Sequence, residues 1–594
     1  MFLKGFFFMV LGCISFCEAK AQVNGADTWV AKDGLGRIID PANYKTTRKD
    51  RYVGIFYFVW QGAHGYDEHR GAAADGGVMP KTLADTVSPY DITKLLKANP
   101  TDPKYGPIHA FHHWGEPYFG YYLADDEWVI RKHAQMLSDA GIDVIILDVT
   151  NAAIYLPQVT KIANTYLKMR AEGLTTPSIS FIVNSVPKQT VNNLYEQIYK
   201  KGLFSKLWFL WKGKPLLLCP PEAITSEIDD FFTTRQSWAW SKDQEWFADG
   251  KDKWPWLDHY PQSYGWHDSK DKAEQVTVSI AQHPMTNIGR SFHNGKEPEI
   301  FSTEKGLYFE EQWKRALEID PEFVFVTGWN EWVAMRFNDG ASKTFLGKAI
   351  NKGETYFVDL YNAEFSRDAE PENGVTKDNY YYQLADYVRK FKGTAKLPVY
   401  KTNKSVSIDG KFDDWKSIGA VYKDDSGDTF HRKHPGWGRI NEYVNNTGRN
   451  DILESRITSD ERNVYFYVKT KAPLTAWNSV DWMHLFIGVK GSVNEGWQGF
   501  QYVVNQKVLS RSTTTLRNLK TDGGLGKSTI VKYRTNKNEL ELIVAKTQLG
   551  INGNKFTLDF KWSDNSPVDG NAMHWLDMGD AAPNARFVYR FIKE

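Results

Sequence analysis

The chain is poor in cysteine, with three in 594 residues. Two of them, Cys13 and Cys17, lie in the N-terminal apolar stretch. Loss of that stretch leaves Cys219 alone, so no internal disulfide can form and the fold must stand on its core. Cys219 ends the run Leu216-Leu217-Leu218 and reads as a small buried hydrophobe rather than a nucleophile. Neither sign of charge prevails. With 73 Lys and Arg against 72 Asp and Glu, no overall field points to nucleic acid or to an anionic membrane. Internal repeats and low-complexity segments are lacking. So is an apolar run that would anchor the mature chain in a bilayer: Gly5 to Phe16, preceded by Lys4, is too short for a permanent span. With Ala19-Lys20-Ala21 after it, this stretch reads as an export signal cleaved after Ala21. Lipid attachment at Cys17 is the alternative, and Ser15-Phe16 before it match that pattern poorly. The expected address is secreted or periplasmic.

Aromatic side chains are abundant, at 14% of residues with 22 Trp and 30 Tyr. A large core accounts for part of this. Trp238-Ala239-Trp240 and Trp254-Pro255-Trp256, set in polar surroundings, also suit a surface that binds sugar rings. The length implies two or three domains. From about residue 50 to 335, apolar strands alternate with longer amphipathic stretches. The strands are Tyr52 to Phe58, Val144 to Leu147, Ile179 to Val183, Leu216 to Leu218 and Phe323 to Val326. Weaker candidates lie near Phe231-Phe232, Trp256-Leu257 and Val276 to Ile280. Eight strands separated by helices predict a (β/α)8 TIM barrel. The helix before the second strand is signposted by Asp125, Asp126 and Glu127 in its first turn and by Gly141 at its end. Another is predicted from about Tyr308 to Glu318. Lys392 to Lys404 is polar, carries Pro398 and lacks periodicity. Beyond it, residues alternate as in strands at Val406 and Ile408, at Val464, Phe466 and Val468, and at Phe556, Leu558 and Phe560. That texture predicts a C-terminal β-sandwich. The expected organisation is a signal peptide over 1–21, a barrel over 22–391, a linker over 392–403 and a sandwich over 404–594. A monomer is expected.

The most informative stretch is Phe323-Val324-Phe325-Val326-Thr327-Gly328-Trp329-Asn330-Glu331-Trp332. Its apolar start reads as a parallel strand buried on both faces. It ends in a carboxylate flanked by two indoles and an amide, at the end of a barrel strand where active sites are built. Trp329 and Trp332 offer stacking faces, Asn330 offers hydrogen bonds to hydroxyls, and Glu331 can act at an anomeric carbon. Other strands end in similar residue types. Trp60 follows the first, Asp148, Thr150 and Asn151 the second, Asn184 the third, and Asp258, His259 and Tyr260 the sixth. Glycoside cleavage needs two carboxyl groups, and Asp148 is the candidate partner of Glu331 across the barrel mouth. The equal alternative is that Asp148 positions a neighbouring side chain or a sugar hydroxyl. The cluster His109-Ala110-Phe111-His112-His113-Trp114-Gly115-Glu116 lacks the spacings of a zinc site. His113 and Glu116 read instead as part of a subsite wall, or as part of an ordered structural loop. The charged stretch from Asp359 to Glu370, through Glu364, Arg367 and Asp368, reads as an ion-pair network that ties down the last segment. No catalytic cofactor or metal is expected. The acidic loop Asp424-Asp425-Ser426-Gly427-Asp428 offers oxygens for a structural Ca²⁺, or is simply solvated.

Gly328-Trp329-Asn330-Glu331-Trp332 resembles the signature of the barrel enzymes in glycoside hydrolase families 71 and 99. Asp125 to Asp148, with Ala140-Gly141-Ile142-Asp143 at the join, resembles them too. The resemblance covers roughly residues 50 to 370. It implies a secreted (β/α)8 hydrolase of an α-glycan, working through carboxylates and without metal. These families carry a second acid three residues after the first, and here that position is Ala334, so their proton donor does not carry over to this chain. Another residue (Asp148, Glu116 or Asp258) would have to donate, or the chemistry has been lost or changed. The C-terminal part resembles a family 9 carbohydrate-binding module. Its marks are Ile408-Asp409-Gly410-Lys411-Phe412-Asp413-Asp414-Trp415, Ile457 to Asp460 leading into Val464 to Val468, and Asp481-Trp482 with Leu485 to Ile487. Trp477, Trp482 and Trp497 are its candidate sugar platforms. The expected function is hydrolysis of a polysaccharide or glycan. The rivals are a non-catalytic glycan receptor that keeps the barrel and, less simply, a module that binds a protein partner.

Overall fold

The computed structural model describes residues 23–62, 92, 111–282, 288–337, 344–345, 348–349, 356–357, 360–437 and 442–594. The expected export signal lies outside these residues, as do His109 and Asp359.

The N-terminal part alternates strands and helices. Its strands are β1 (Tyr52–Tyr57), β2 (Phe111–His113), β3 (Val144–Asp148), β4 (Ser178–Ile182), β5 (Lys214–Leu218), β6 (Thr233–Arg235), β7 (Tyr264–Trp266), β8 (Ala273–Ser279), β9 (Phe323–Thr327) and β10 (Val333–Phe337). Its helices are α1 (Glu127–Ala140), α2 (Leu156–Ala171), α3 (Pro187–Leu194), α4 (Ser226–Phe231), α5 (Leu307–Ile319) and α6 (Asn379–Lys392). The main sheet runs in the order β6-β5-β4-β3-β1-β9-β8-β7. Neighbours are parallel except β7, which is antiparallel to β8. All the parallel strands therefore end at one side of the sheet.

Both faces of this sheet are buried, which explains the unbroken apolar runs. Val144 and Ile146 pack with Phe56, Phe323 and Phe325, while the alternate Ile145 and Leu147 belong to the other core with Val324 and Val326. Gly54 in β1 lets the rings crowd. A Cβ there would lie 2.5 Å from the Phe323 ring and 3.0 Å from Val144. The start and stop of α1 follow its sequence signals. The Asp126 carboxylate accepts from the amides of Trp128 and Val129 at 3.1 and 3.4 Å. Gly141 closes the helix at φ 87°, a left-handed conformation that glycine adopts without strain.

The described ladder does not close into the expected eight-stranded barrel. It curls, and side chains bridge its two ends. Arg235 on β6 donates to Glu274 on β8 at 2.7 and 2.6 Å, and the indoles of Trp211 and Trp254 donate to the same carboxylate. Between these ends runs an irregular segment rather than the strand expected near Trp256-Leu257. It bridges β6's continuation through Gln236–Lys253 and Ala239–Leu257. Gln275 and Thr277 of β8 hold it by donating to the Pro255 and Trp256 carbonyls, each at 2.8 Å. The proline and the bulky indoles of Trp254-Pro255-Trp256 disfavour a regular ladder there. Phe231 and Phe232 are likewise not strand residues. They end α4, and β6 begins one residue later.

Residues after 404 form a strand-rich domain built on one continuous ladder, rather than the two separate sheets of the expected sandwich. Its central strands include Ile452–Ser459, Asn463–Thr470, His484–Val489, Tyr502–Val508, Thr513–Leu519, Leu525–Asn536, Glu539–Ala545, Phe556–Asp564 and Tyr589–Lys593. The ladder folds back on itself: Phe466 meets Phe560 at 5.9 Å, and the Trp562 indole donates to Ser455 Oγ at 3.0 Å. Val406 and Ile408, expected in a strand, lie in an extended segment outside the ladder. Trp482 and Trp497, read as sugar platforms, are buried in the core, and Trp477 packs on it.

The two parts are joined along much of their length. Val23–Asn24 pairs in parallel with Val421–Tyr422, and Val399–Tyr400 of the expected linker pairs with Ile592–Lys593. Arg586 Nε bonds Asp378 at 2.5 Å, and Tyr118 Oη donates to the Met573 carbonyl at 3.0 Å. Arg432, from the hairpin Arg432–Pro435 with Glu442–Asn445, donates to the α1 cap Asp126 at 2.8 Å.

Candidate active site

The site grows from the end of β9. After Thr327 the chain leaves the sheet, and Asn330 takes over the ladder's role. Its side-chain amide accepts from Phe58 N at 2.8 Å and donates to Phe58 O at 3.1 Å, extending the β9–β1 pairing by one step. Trp329 is fully buried, its ring edge-on to His133 and Tyr381. Trp332 is also fully buried. It stacks on Trp114 at 4.5 Å and donates to Glu370 at 2.5 Å. These three residues, expected to touch substrate, instead form the frame of the site in this structure. Behind them a buried chain runs from Tyr57 Oη to His133 at 2.8 Å, from His133 to Glu370 at 2.9 Å, and from Tyr122 Oη to Glu370 at 2.6 Å. Burial holds both phenols in their protonated form.

Glu331 is different. Its side chain keeps 11% exposure, while its partner Arg367 has 1%. Arg367 Nη2 donates to Glu331 Oε2 at 2.9 Å, and its guanidinium lies 5.4 Å from the Trp256 ring centre. The Glu331 backbone is fixed from both sides. Its N–H donates to Asp368 Oδ1 at 2.5 Å, and its carbonyl accepts from the Trp114 indole at 3.0 Å. Residues 366–370 run alongside the motif, with Ala369 N bonding Gly328 O and Glu370 N bonding Trp329 O, each at 3.0 Å. Burial, reinforced by the charge of Glu331, pushes the Asp368 carboxyl well above the usual carboxylate range. The amide of Glu331 and the guanidinium groups of Arg290 and Arg367 oppose that shift without cancelling it. Arg290 supports the segment by donating to the Ser366 and Asp368 carbonyls at 3.1 and 2.9 Å. The end of β9 thus carries two carboxyl groups, Glu331 partly exposed and paired with Arg367, and Asp368 buried and pushed above the usual carboxylate range.

The other expected site residues come from three stretches of the chain. Trp60 and Asp148 stand together at the ends of β1 and β3: the Trp60 indole donates to Asp148 Oδ2 at 3.0 Å. Thr150 donates to Asp148 Oδ1 from its amide at 3.0 Å and its hydroxyl at 2.7 Å. In these contacts Asp148 accepts, anchoring an indole and a turn. Asn151 is exposed in that turn. His113 lies on β2, which pairs with β10 directly after the motif. Its ring packs between Tyr121 and Trp437 of the C-terminal domain, at 4.7 and 4.8 Å. Burial, with a smaller contribution from His112, pushes His113 down to about 3, so it is neutral. Ala334 faces His112 in the same pairing and is buried. Glu116 is half-buried in the following turn, and its carbonyl accepts from Asn373 N at 2.9 Å. Asp258 is buried among donors: Ser241 N at 3.0 Å, Ser241 Oγ at 2.5 Å and Ser263 N at 2.9 Å. Tyr260, two residues on, is 43% exposed.

Arg367 and Asp368 are the site residues that sequence reasoning missed. They were legible as part of a charged segment, but nothing in their spacing announces that the segment folds back beside the end of β9.

No protein-family model and no curated protein matches the chain. Among solved structures, the chain aligns with the GH99 endo-α-mannosidase of Bacteroides thetaiotaomicron, both alone and in complex with bis-tris-propane. Identity is 16% and 14%, the alignments cover 58% of this chain and 98% of theirs, and the TM-scores are 0.34 and 0.32. At that level of likeness, the assignment of residues rests on the site's own geometry.

Proposed function

We propose that this protein is an exported glycoside hydrolase acting on a polysaccharide or glycan, with Glu331 as its essential carboxylate. The observation that carries the reading is the Glu331–Arg367–Asp368 cluster at the C-terminal end of the central strand. Glu331 is the member with access to a ligand, and Arg367 fixes its orientation. Asp368, next to Arg367 in the chain and pushed above the usual carboxylate range, is our candidate for the second carboxyl that glycoside cleavage requires. The aromatic frame of Trp114, Trp329 and Trp332 keeps the cluster dry on its inner side, where a charge acts more strongly than in water.

Ala334 favours a second reading, a receptor that binds glycan without cleaving it. It occupies the position of the related families' second acid, and it is a buried methyl in the pairing with His112 that can donate no proton. The two readings separate on a panel of soluble polysaccharides incubated with the full-length protein. New reducing ends support the hydrolase. Saturable binding with no new reducing ends on any polymer supports the receptor.

A further inference from the structure

The acidic loop after Lys423 meets two other elements at the seam between the domains. One oxygen each from Asp424, Asp428 and Asp580 lie within 4.8 Å of one another. Asp424 and Asp428 come from the loop, and Asp580 comes from the short strand Asp580–Ala582. Both carboxylate oxygens of Asp424, Oδ1 of Asp428 and Oδ1 of Asp580 are buried without a hydrogen-bond partner. A fourth carboxylate outside the triad shows the same deficit. Asp451 is 9% exposed, and its Oδ2 accepts from Gly427 N of the loop at 2.8 Å, while its Oδ1 has no partner. Its charge is felt by both Asp428 and Asp580.

Four carboxylates whose unused oxygens are buried cannot all stay ionised unless a cation joins them. Of the protein's own cations, Lys132 acts on Asp428 and Asp580 only from beyond ion-pair distance. Lys561, fully buried nearby, donates its ammonium hydrogens to the carbonyls of Pro583 and Phe587. Lys471 lies 3.6 Å from the other oxygen of Asp451. Among the described residues, no Lys, Arg or His comes within ion-pair distance of Asp424, Asp428 or Asp580.

We propose that Asp424, Asp428 and Asp580 bind a divalent cation of the calcium class, and that this ion pins the C-terminal domain to helix α1. The donors are all oxygen, with no His or Cys among them, which selects a hard cation over zinc. Asp424 offers both its oxygens, the bidentate mode common around Ca²⁺, whereas Mg²⁺ prefers to keep several of its waters. The loop is already tied to the barrel's helix. Gln135 of α1 donates to Asp425 at 3.0 Å and to Asp428 at 3.2 Å, and Asn584 bridges Asp139 of α1 and Asp425 at 2.8 and 3.2 Å. A cation here would hold the loop that those contacts reach.

The test uses full-length protein stripped with a chelator. Calorimetric titration with Ca²⁺ should show one equivalent bound, and Ca²⁺ should raise the thermal midpoint by a few degrees, as a ligand selective for the folded state does. Mg²⁺ at the same concentration should do less. Asp580→Asn risks misfolding, because Asp580 Oδ2 accepts from Ile452 N at 2.6 Å. Asp424→Asn is the safer variant, since neither Asp424 oxygen has a protein partner to lose. It should weaken Ca²⁺ binding by at least about tenfold and raise the midpoint of the stripped protein by relieving repulsion. Failure of the wild type to bind Ca²⁺ at millimolar concentration would overturn the proposal, as would unchanged affinity in Asp424→Asn.

Discussion

Breaking the Glu331–Arg367 pair from each side, and then from both, should reveal a coupling that no surface pair shows. Arg367→Met keeps an unbranched side chain of similar length over Trp256 but removes the charge. The Glu331 carboxylate is then left in a nearly dry site beside Asp368. Removing one partner of a buried ion pair costs about 3–5 kcal/mol. The 11% exposure of Glu331 lets water recover part of that, so about 2–4 kcal/mol is expected. Glu331→Gln should cost less, about 1–2 kcal/mol, because the amide oxygen still accepts from Arg367. Losing that negative charge also removes what helps to hold the Asp368 proton. Asp368 is then freer to ionise and to balance Arg367 and Arg290. The double variant Glu331→Gln/Arg367→Met should therefore be no less stable than Arg367→Met alone, giving a coupling of about 1–3 kcal/mol. Equilibrium urea unfolding followed by tryptophan fluorescence measures all four proteins. Single effects that add to within about 0.5 kcal/mol would show that the two side chains do not act as a pair.

If Asp368 supplies the proton, Asp368→Asn should lower kcat about a hundredfold or more while keeping an acceptor for the Glu331 amide. In the wild type, activity should fall as pH rises through the elevated value of Asp368, because the protonated form is the working one; an unaltered rate in Asp368→Asn would remove Asp368 from the reaction. His113 gives a stability prediction of opposite sign. It stays neutral in the fold down to about 3, while an unfolded histidine takes up its proton near 6.5. The wild type should thus lose about 1.4 kcal/mol per pH unit from this residue as pH falls between those values. His113→Gln should lack that increment when urea unfolding is compared at neutral and mildly acidic pH. Residues 404–594 made alone should aggregate, since the cut removes Val23–Asn24 and Val399–Tyr400 from two sheet edges and takes Asp378 from Arg586. A soluble, monodisperse fragment would contradict that.

What the sequence made legible follows physical range. The limits of α1 came from its own cap residues, and β1, β3, β4, β5 and β9 came from apolar runs buried on both faces. Glu331 was legible because a strand end confines where its side chain can go. The open seam near Trp254-Pro255-Trp256 was not, because side chains from β6 and β8 complete the curl there instead of a ladder. The antiparallel pairing of β2 with β10 was also missed, since three residues with two histidines carry no clear strand period. Trp329, Asn330 and Trp332 were read as ligand contacts from their chemistry alone. Whether an indole faces a cleft or a core depends on what lies over it, here Trp114, His133 and Tyr381 from distant parts of the chain. Arg367 and Asp368 share that difficulty: a charged segment looks the same in sequence whether it ties down a loop or lines an active site.

The central claim is that Glu331 is a working carboxylate, and Glu331→Gln tests it most directly. Once a cleaved polymer is found, reducing-end release and calorimetric binding should be measured on wild type and variant with that polymer. The account predicts a folded Glu331→Gln protein that binds the polymer with near wild-type affinity and releases its ends at least about a hundredfold more slowly. A variant that cleaves at the wild-type rate would contradict it.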